Sequence, residues 1–242
     1  MRKNLKINEL SIIIPIYNEE KNIKKLSNLI KKNLKIKKFE IIFVDDDSTD
    51  NSKKILEDLN KKDRRIISII RKNKIKDLSK SCILGFKKSK YKTILVMDGD
   101  LQHNPLFIPK LINSYNSSFC DLVVGCRNFF SQKNAGLNLL RTLASVFLIC
   151  TINFLLGKKT SDPMSGFFLF KKKFFLNSEK KLFKKGYKIL ADIIYANQDR
   201  INVNDIKIDF NKRKSGNSKI RLKILCYIIF FIFTKVIKKY VH

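Results

Sequence analysis

Residues 94–105 read ILVMDGDLQHNP. A short apolar run stops at two aspartates, Asp98 and Asp100, with Gly99 between them and Gln102 and His103 just beyond. The run reads as a buried strand. Two like charges at its mouth repel each other, so the position calls for something that offsets them. The rest of the chain decides what fold puts them there.

Other runs have the same form. SIIIPI (11–16), FEIIFVDDDSTDNS (39–52), RRIISIIR (64–71) and CDLVVGCR (120–127) read as further strands, with TILVMD (93–98) the fourth of five. Between them lie helical spacings. Residues 21–37 carry Ile23, Leu26, Leu29, Ile30 and Leu34, residues 52–61 carry Ile55, Leu56 and Leu59, and 78–89 (LSKSCILGFKKS) also reads as helix. Strands that are apolar throughout and alternate with helices predict an α/β domain with a parallel sheet covered on both faces. Ligands of such sheets bind beyond the carboxyl ends of the strands. The acids at 45–47 and at 98–100 stand there.

The second half changes character. Residues 142–157 (TLASVFLICTINFLLG) and 224–234 (ILCYIIFFIFT) carry no charge. As helices they reach roughly 24 Å and 16 Å, against a hydrocarbon core of about 30 Å, so the second cannot span alone and the first is borderline. Both fit interfacial helices flanked by lysine, and 142–157 also fits a buried core helix. The expected division is a catalytic domain over 1–220 and a short membrane-associated tail over 221–242.

The 242 residues are 44% apolar, enough for a real core, and the formal net charge is +30. A solvated surface, attraction to an anionic membrane and nucleic-acid binding all accommodate that charge. The 42 Lys against 9 Arg are spread along the whole chain. Readers of base edges lean on Arg, and stacking platforms on aromatic motifs that this sequence lacks, so no nucleic acid is expected. The five cysteines form no CxxC pair, which reads as reduced core thiols. The N-terminus has no long apolar stretch of the kind a signal peptide needs.

A divalent cation offsets paired carboxylates directly. Oxygen ligands suit Mg²⁺ or Mn²⁺, and such sites use one or two carboxylates plus substrate phosphates. Gly99 would let a diphosphate approach the backbone, Gln102 could add a neutral oxygen, and His103 stands open between a ligand and a surface-loop histidine. Asp-x-Asp alone is a weak signal; its place after ILVM strengthens it. The second acidic end could read a base or ribose through Asp46, with Asp47, Ser48 or Asp50 opening the next helix as caps.

Taken in order, IPIYNEEKNI (14–23), EIIFVDDDSTDNS (40–52), MDGDLQHNP (97–105), VVGCR (123–127), DPMSGFFLFKKK (162–173), KKGYKILADI (184–193) and IDFNKRKSGNSKI (208–220) resemble the family-2 glycosyltransferases of the GT-A fold. More narrowly they are similar to polyprenyl- and dolichyl-phosphate mannosyltransferases and their glucosyl relatives, over roughly residues 10–220. The resemblance implies a mixed, mostly parallel sheet with helices on both faces, a nucleotide-sugar donor (GDP-mannose, or a UDP-sugar), a Mg²⁺ or Mn²⁺ cofactor, a polyprenyl-phosphate acceptor and a place on the cytoplasmic membrane surface. It puts Pro15, Tyr17 and Glu19 on the donor loop, and Val44 and Asp46 at base and ribose. Asp98, Gly99 and Asp100 fall on diphosphate and metal, Gln102 on metal, Arg127 near sugar or phosphates. Arg213 and Lys219 match the basic loop that closes over the phosphates. Arg141 and Ser145, at i and i+4, match the lipid-phosphate site. Three positions depart from the pattern: Asp77 stands where glycine is usual, Asp192 where Glu is frequent, and one short apolar tail replaces two spans.

The implied chemistry needs no strong general base, because a phosphate monoester has a second pKa near about 6 and is mostly dianionic at neutral pH. A single displacement inverts the anomeric centre. Asp192 is expected to orient a loop or bind a sugar hydroxyl. The rival readings are another sugar from a UDP donor, a basic nucleic-acid binder, and an inactive scaffold-like relative.

Overall fold

The computed structural model describes residues 6–72, 74–127, 149–154, 157–186 and 189–209. Of the expected site residues, Arg141, Ser145, Arg213 and Lys219 lie outside them, as do the tail from 221 onward and most of 142–157.

The chain first alternates: β1 (Glu9–Ile16), α1 (Glu20–Asn33), β2 (Lys38–Asp45), α2 (Ser52–Lys62), β3 (Ile66–Ile70), α3 (Leu78–Lys88) and β4 (Thr93–Val96). A 3₁₀ turn (Pro105–Phe107) leads into α4 (Ile108–Ser117) and β5 (Leu122–Arg127). Then come β6 (Phe168–Lys171), α5 (Lys172–Ser178), a 3₁₀ turn (Glu179–Lys181), α6 (Ile189–Ala196) and β7 (Val203–Ile208). The seven strands form one sheet in the order β3-β2-β1-β4-β6-β5-β7. β6 runs antiparallel to both its neighbours, β4 and β5, and the remaining pairings are parallel. The expected mostly parallel, mixed sheet is what the chain forms.

Side-chain alternation along each strand builds two cores. On β1, Ile12 and Ile14 face α1, α2 and α4, packing with Ile23, Leu26, Leu56 and Leu111. Ile13 faces the other way, with Val44, Phe86, Phe168, Phe170 and residues of α6. Phe86 anchors that second layer, meeting Phe170 and Phe175 edge-on with ring centroids 5.3 and 5.2 Å apart, a favoured aromatic geometry.

One expectation needs correction. The helix predicted over 21–37 ends at Asn33, where Leu34 turns extended and Asn33 Nδ2 donates to the Leu29 carbonyl at 2.7 Å. The chain has to straighten there to enter β2 at Lys38. Residues 149–154 are helical, with Ile149 and Ile152 buried in the core and Phe154 87% exposed. Among the described residues no helix is long and apolar enough to cross a membrane.

Candidate active site

The order β3-β2-β1-β4 makes β1 and β4 the place where the chain, having built outward, returns to extend the sheet the other way. Such a switch point opens a crevice beyond the strand ends. The loops after β1, β2, β4 and β5 meet there.

Asp98 follows β4. Its amide donates to His103 Nδ1 at 3.1 Å, and its side chain stays 37% exposed. His103 is neither a surface residue nor placed to be a ligand: it is 1% exposed and stacks on Phe167 with ring centroids 5.3 Å apart. Burial pulls its pKa down to about 4. Because Nδ1 accepts the Asp98 N–H, the ring is neutral, and the 3.5 Å approach of Nδ1 to the Asp98 carboxylate is not an ion pair. Asp100 is 7% exposed, and its Oδ1 accepts the Gln102 N–H at 3.1 Å. Leu101, at φ 61°, closes the turn.

Glycine at 99 also answers to packing. A side chain there would strike Ile16 of β1, with Cβ 2.6 Å from Cγ2. Close packing of β1 against the β4 loop demands it. A second glycine went unread in the sequence. A Cβ on Gly166 would sit 2.6 and 2.7 Å from the two carboxylate oxygens of Asp98. The Asp98 carboxylate lies on the bare α-carbon of the residue that leads, through Phe167, into β6.

The donor-side residues gather as follows. Pro15 and Val44 pair in register at the ends of β1 and β2. Val44 is fully buried in the core, so only its main chain can meet a ligand. The loops carrying Glu19 and Asp46 are laced together. Asn18 N–H donates to Ser48 Oγ at 2.9 Å, Thr49 N–H to Asn18 Oδ1 at 2.8 Å, and Glu19 N–H to Ser52 Oγ at 3.1 Å. Asp46 is buried, its Oδ1 in an ion pair with Arg71 and its Oδ2 accepting the Asp77 N–H at 2.6 Å. Burial raises its pKa, against the pull of that amide and of Arg71. Asp45, the preceding residue, is fully buried; Oδ1 accepts the Ser48 N–H at 2.7 Å and Oδ2 has no hydrogen-bond partner. Lys76 hydrogen-bonds the Tyr17 hydroxyl and lies 3.7 Å from its ring centroid.

Arg127 ends β5 and grips Asp162 with two parallel bonds, Nε to Oδ2 at 2.8 Å and Nη2 to Oδ1 at 3.0 Å. Burial works against its charge, but Asp162, with a contribution from Asp98, raises its pKa further. Two of its donors are thus committed inside the protein. Asp192 takes the loop-orienting role, accepting the Lys184 N–H at 3.0 Å.

Asp98 and Asp100 are acceptor-only groups at one strand mouth. Among the described residues no group of three or more His, Cys, Asp or Glu stands together as a metal cage. This two-carboxylate half-site suits Mg²⁺ or Mn²⁺, whose shell is completed by phosphate oxygens and water.

The family model for "Glycosyl transferase family 2" matches residues 11–177. The chain belongs to this family. It is 34% identical over 90% of its length to a dolichol-phosphate mannosyltransferase of Pyrococcus furiosus, spanning 60% of that protein. It is 31% identical, again over 90% of its length, to the dolichol-phosphate mannosyltransferase of Saccharomyces cerevisiae, spanning 83% of it. Among solved structures, glucosyl-3-phosphoglycerate synthase from Mycobacterium tuberculosis, in complex with Mn²⁺, UDP-glucose and phosphoglyceric acid, superposes with a TM-score of 0.70. That match covers 96% of this chain and 79% of the synthase at 17% identity, and it establishes the GT-A-like fold of this family-2 member.

Arg71, Asp162 and Gly166 were not singled out from the sequence. Arg71 closes the quoted run RRIISIIR, and the other two stand in DPMSGFF. An arginine closing a strand-like run, and an acid and a glycine inside a matched motif, were the signals available.

Proposed function

We propose that this chain transfers a hexosyl residue from a nucleotide sugar, GDP-mannose the first candidate, to a polyprenyl phosphate with inversion at the anomeric carbon. The observation that carries the reading is the carboxylate pair at the switch point of a chain 31–34% identical over 90% of its length to dolichol-phosphate mannosyltransferases. Asp98, Asp100 and Gln102 would hold Mg²⁺ or Mn²⁺; the synthase neighbour with the same fold was solved with Mn²⁺. When bound, the cation neutralises charge on the departing nucleoside diphosphate.

The protein's own residues orient and exclude. Pro15, Tyr17, Glu19, the main chain of Val44, and Asp46 hold the nucleotide. Arg71 and the Asp77 amide fix the Asp46 carboxylate in one orientation before the ligand arrives, which lowers the cost of binding. Gly99 and Gly166 let β1 and the turn before β6 close on the reacting end, and Arg127 stands at its rim. Arg141 and Ser145 bind the acceptor phosphate, and Arg213 and Lys219 cover the donor phosphates. The dianionic acceptor oxygen attacks without a base, so holding two anions together is the main task of these cations. The apolar segments and the positive surface keep the enzyme on the membrane face where a polyprenyl chain resides.

The test is an incubation with labelled sugar nucleotides, Mg²⁺ or Mn²⁺ and a polyprenyl phosphate, followed by organic extraction. Label from GDP-mannose should enter the organic phase, and Asp98→Asn, Asp100→Asn or chelation should remove at least about 99% of it. Transfer from a UDP-sugar alone would change the donor. No lipid-linked product from any donor would overturn the reading.

A further inference from the structure

Asp77 is the N-cap of α3, and its two carboxylate oxygens serve different parts of the chain. Oδ1 accepts the Lys80 N–H at 3.0 Å and caps the helix. Oδ2 accepts the Gly186 N–H at 2.8 Å, across 109 positions of sequence. Ser79 N–H completes the tie by donating to the Gly186 carbonyl at 2.9 Å. The main chain of Asp77 faces the donor side. Its N–H holds Asp46 Oδ2 at 2.6 Å, and its carbonyl accepts from Arg71 Nη1 at 3.1 Å, the guanidinium that pairs with Asp46. One residue earlier, Lys76 lies on Tyr17. One residue therefore joins the nucleotide-reading carboxylate to the turn at 182–186. That turn has two left-handed positions, Lys184 at φ 59° and Gly186 at φ 84°. Its other end is held by Asp192 through the Lys184 N–H. A glycine at 77 could supply the main-chain bonds but neither side-chain bond, so the tie belongs to the aspartate.

We propose that Asp77 is a positioning residue that couples the nucleotide site to the 182–186 turn, so that a nucleoside diphosphate held at Asp46 tightens the turn and the docked turn tightens nucleotide binding. The inference rests on the glycosyl-transfer reading of the site. Linkage makes the effect reciprocal: whatever nucleotide does to the turn, the turn does to nucleotide affinity. Spatial continuity alone does not establish coupling, so the test has to measure it.

Asp77→Asn separates the two roles of the side chain. Its amide oxygen can keep the α3 cap, but the NH₂ group then faces the Gly186 N–H, a donor against a donor. Asp77→Ala removes both bonds and serves as the comparison for folding. Binding of GDP and of UDP is measured by calorimetry, and amide exchange is followed in peptides covering 182–186, with and without nucleotide. In the wild type, nucleotide should slow exchange in the turn. In Asp77→Asn the turn should exchange faster and lose its response to nucleotide, and the nucleotide affinity should fall by about tenfold. The KM for sugar nucleotide should rise with it, while kcat at saturating donor stays within about twofold. A turn whose exchange ignores nucleotide in the wild type overturns the coupling. So does an Asp77→Asn variant that stays folded and binds nucleotide as the wild type does. A wild type that binds neither nucleotide overturns the glycosyl-transfer reading, and the coupling with it. That failure is recognisable because it precedes any substitution.

Discussion

Asp98 is held by groups on three sides. His103 takes its amide, the Gly166 α-carbon leaves room for its carboxylate, and Gly99 lets β1 lie close beneath the turn. A methyl group on Gly166 cannot be accommodated at 2.6–2.9 Å from that carboxylate. The side chain must swing away or the turn before β6 must shift. Gly166→Ala should therefore fold, with a melting temperature within a few degrees of the wild type, and lose about a hundredfold in kcat, the usual consequence of misplacing a reacting group by about 1 Å. A kcat within twofold would show that Asp98 tolerates the shift. Asp45 gives a prediction about charge. Burial, the dominant influence, raises its pKa, outweighing its bonds from Ser48. A group with a raised folded pKa favours folding when protonated, and that contribution is lost as pH rises through the folded value. At neutral pH the ionised Asp45, with Oδ2 unpartnered, is a cost. Asp45→Asn should stabilise the protein at pH 7 by about 1 kcal/mol, and the gain should shrink as pH is lowered toward 4. Melting temperatures across that range check it; a gain that grew on acidification would contradict it.

At the scale of elements, Asp50 bolts two helices together. Its Oδ1 accepts the Ser52 N–H at 3.0 Å and its Oδ2 the Glu20 N–H at 3.1 Å, so one carboxylate serves the first turns of both α1 and α2. Burial pushes its pKa up, but the bonds from Ser52 and Glu20 outweigh it and the net shift is downward. The sign is opposite to that of Asp45: the contribution is present above the unfolded pKa and lost as pH falls through the folded one. Asp50→Ala should cost about 1–2 kcal/mol near neutrality, and less in strong acid, measurable by denaturant titration at pH 7 and pH 3. The sequence placed a cap among Asp47, Ser48 and Asp50, and the strand mouths at 45 and 98, because period and charge reveal these locally. It did not reveal β6 and β7. FLFK is only three aromatic and apolar residues followed by a lysine, and VNDIKI is an edge strand with mixed exposure, so neither shows a decisive period. Asp162, Gly166 and Arg71 escaped notice for a related reason. Their partners lie 35 residues away for Asp162, 25 for Arg71, and across the sheet for Gly166, and only pairing of β6 with β4 brings the Gly166 turn to Asp98.

At the scale of the whole molecule, charge and apolar segments make separable demands. A net charge of +30 attracts an anionic bilayer, at about 1 kcal/mol for each lysine near the surface. That attraction is screened, with a Debye length of about 8 Å at 0.15 M salt and about 3 Å at 1 M. Insertion of apolar side chains from 142–157 and 224–234 would instead survive salt, since burial of apolar surface is not screened and excluded salts strengthen it. The two terms can be read apart with sedimented vesicles of neutral and of phosphatidylserine-containing lipid. At low salt, anionic vesicles should bind the protein at least about tenfold better than neutral ones. Raising salt to about 1 M should erase that difference while leaving a common, salt-resistant fraction on both. Complete release from both vesicles at high salt would assign membrane attachment to lysine alone and remove the apolar segments from it. Equal binding to both at low salt would leave the positive surface as a solvated coat.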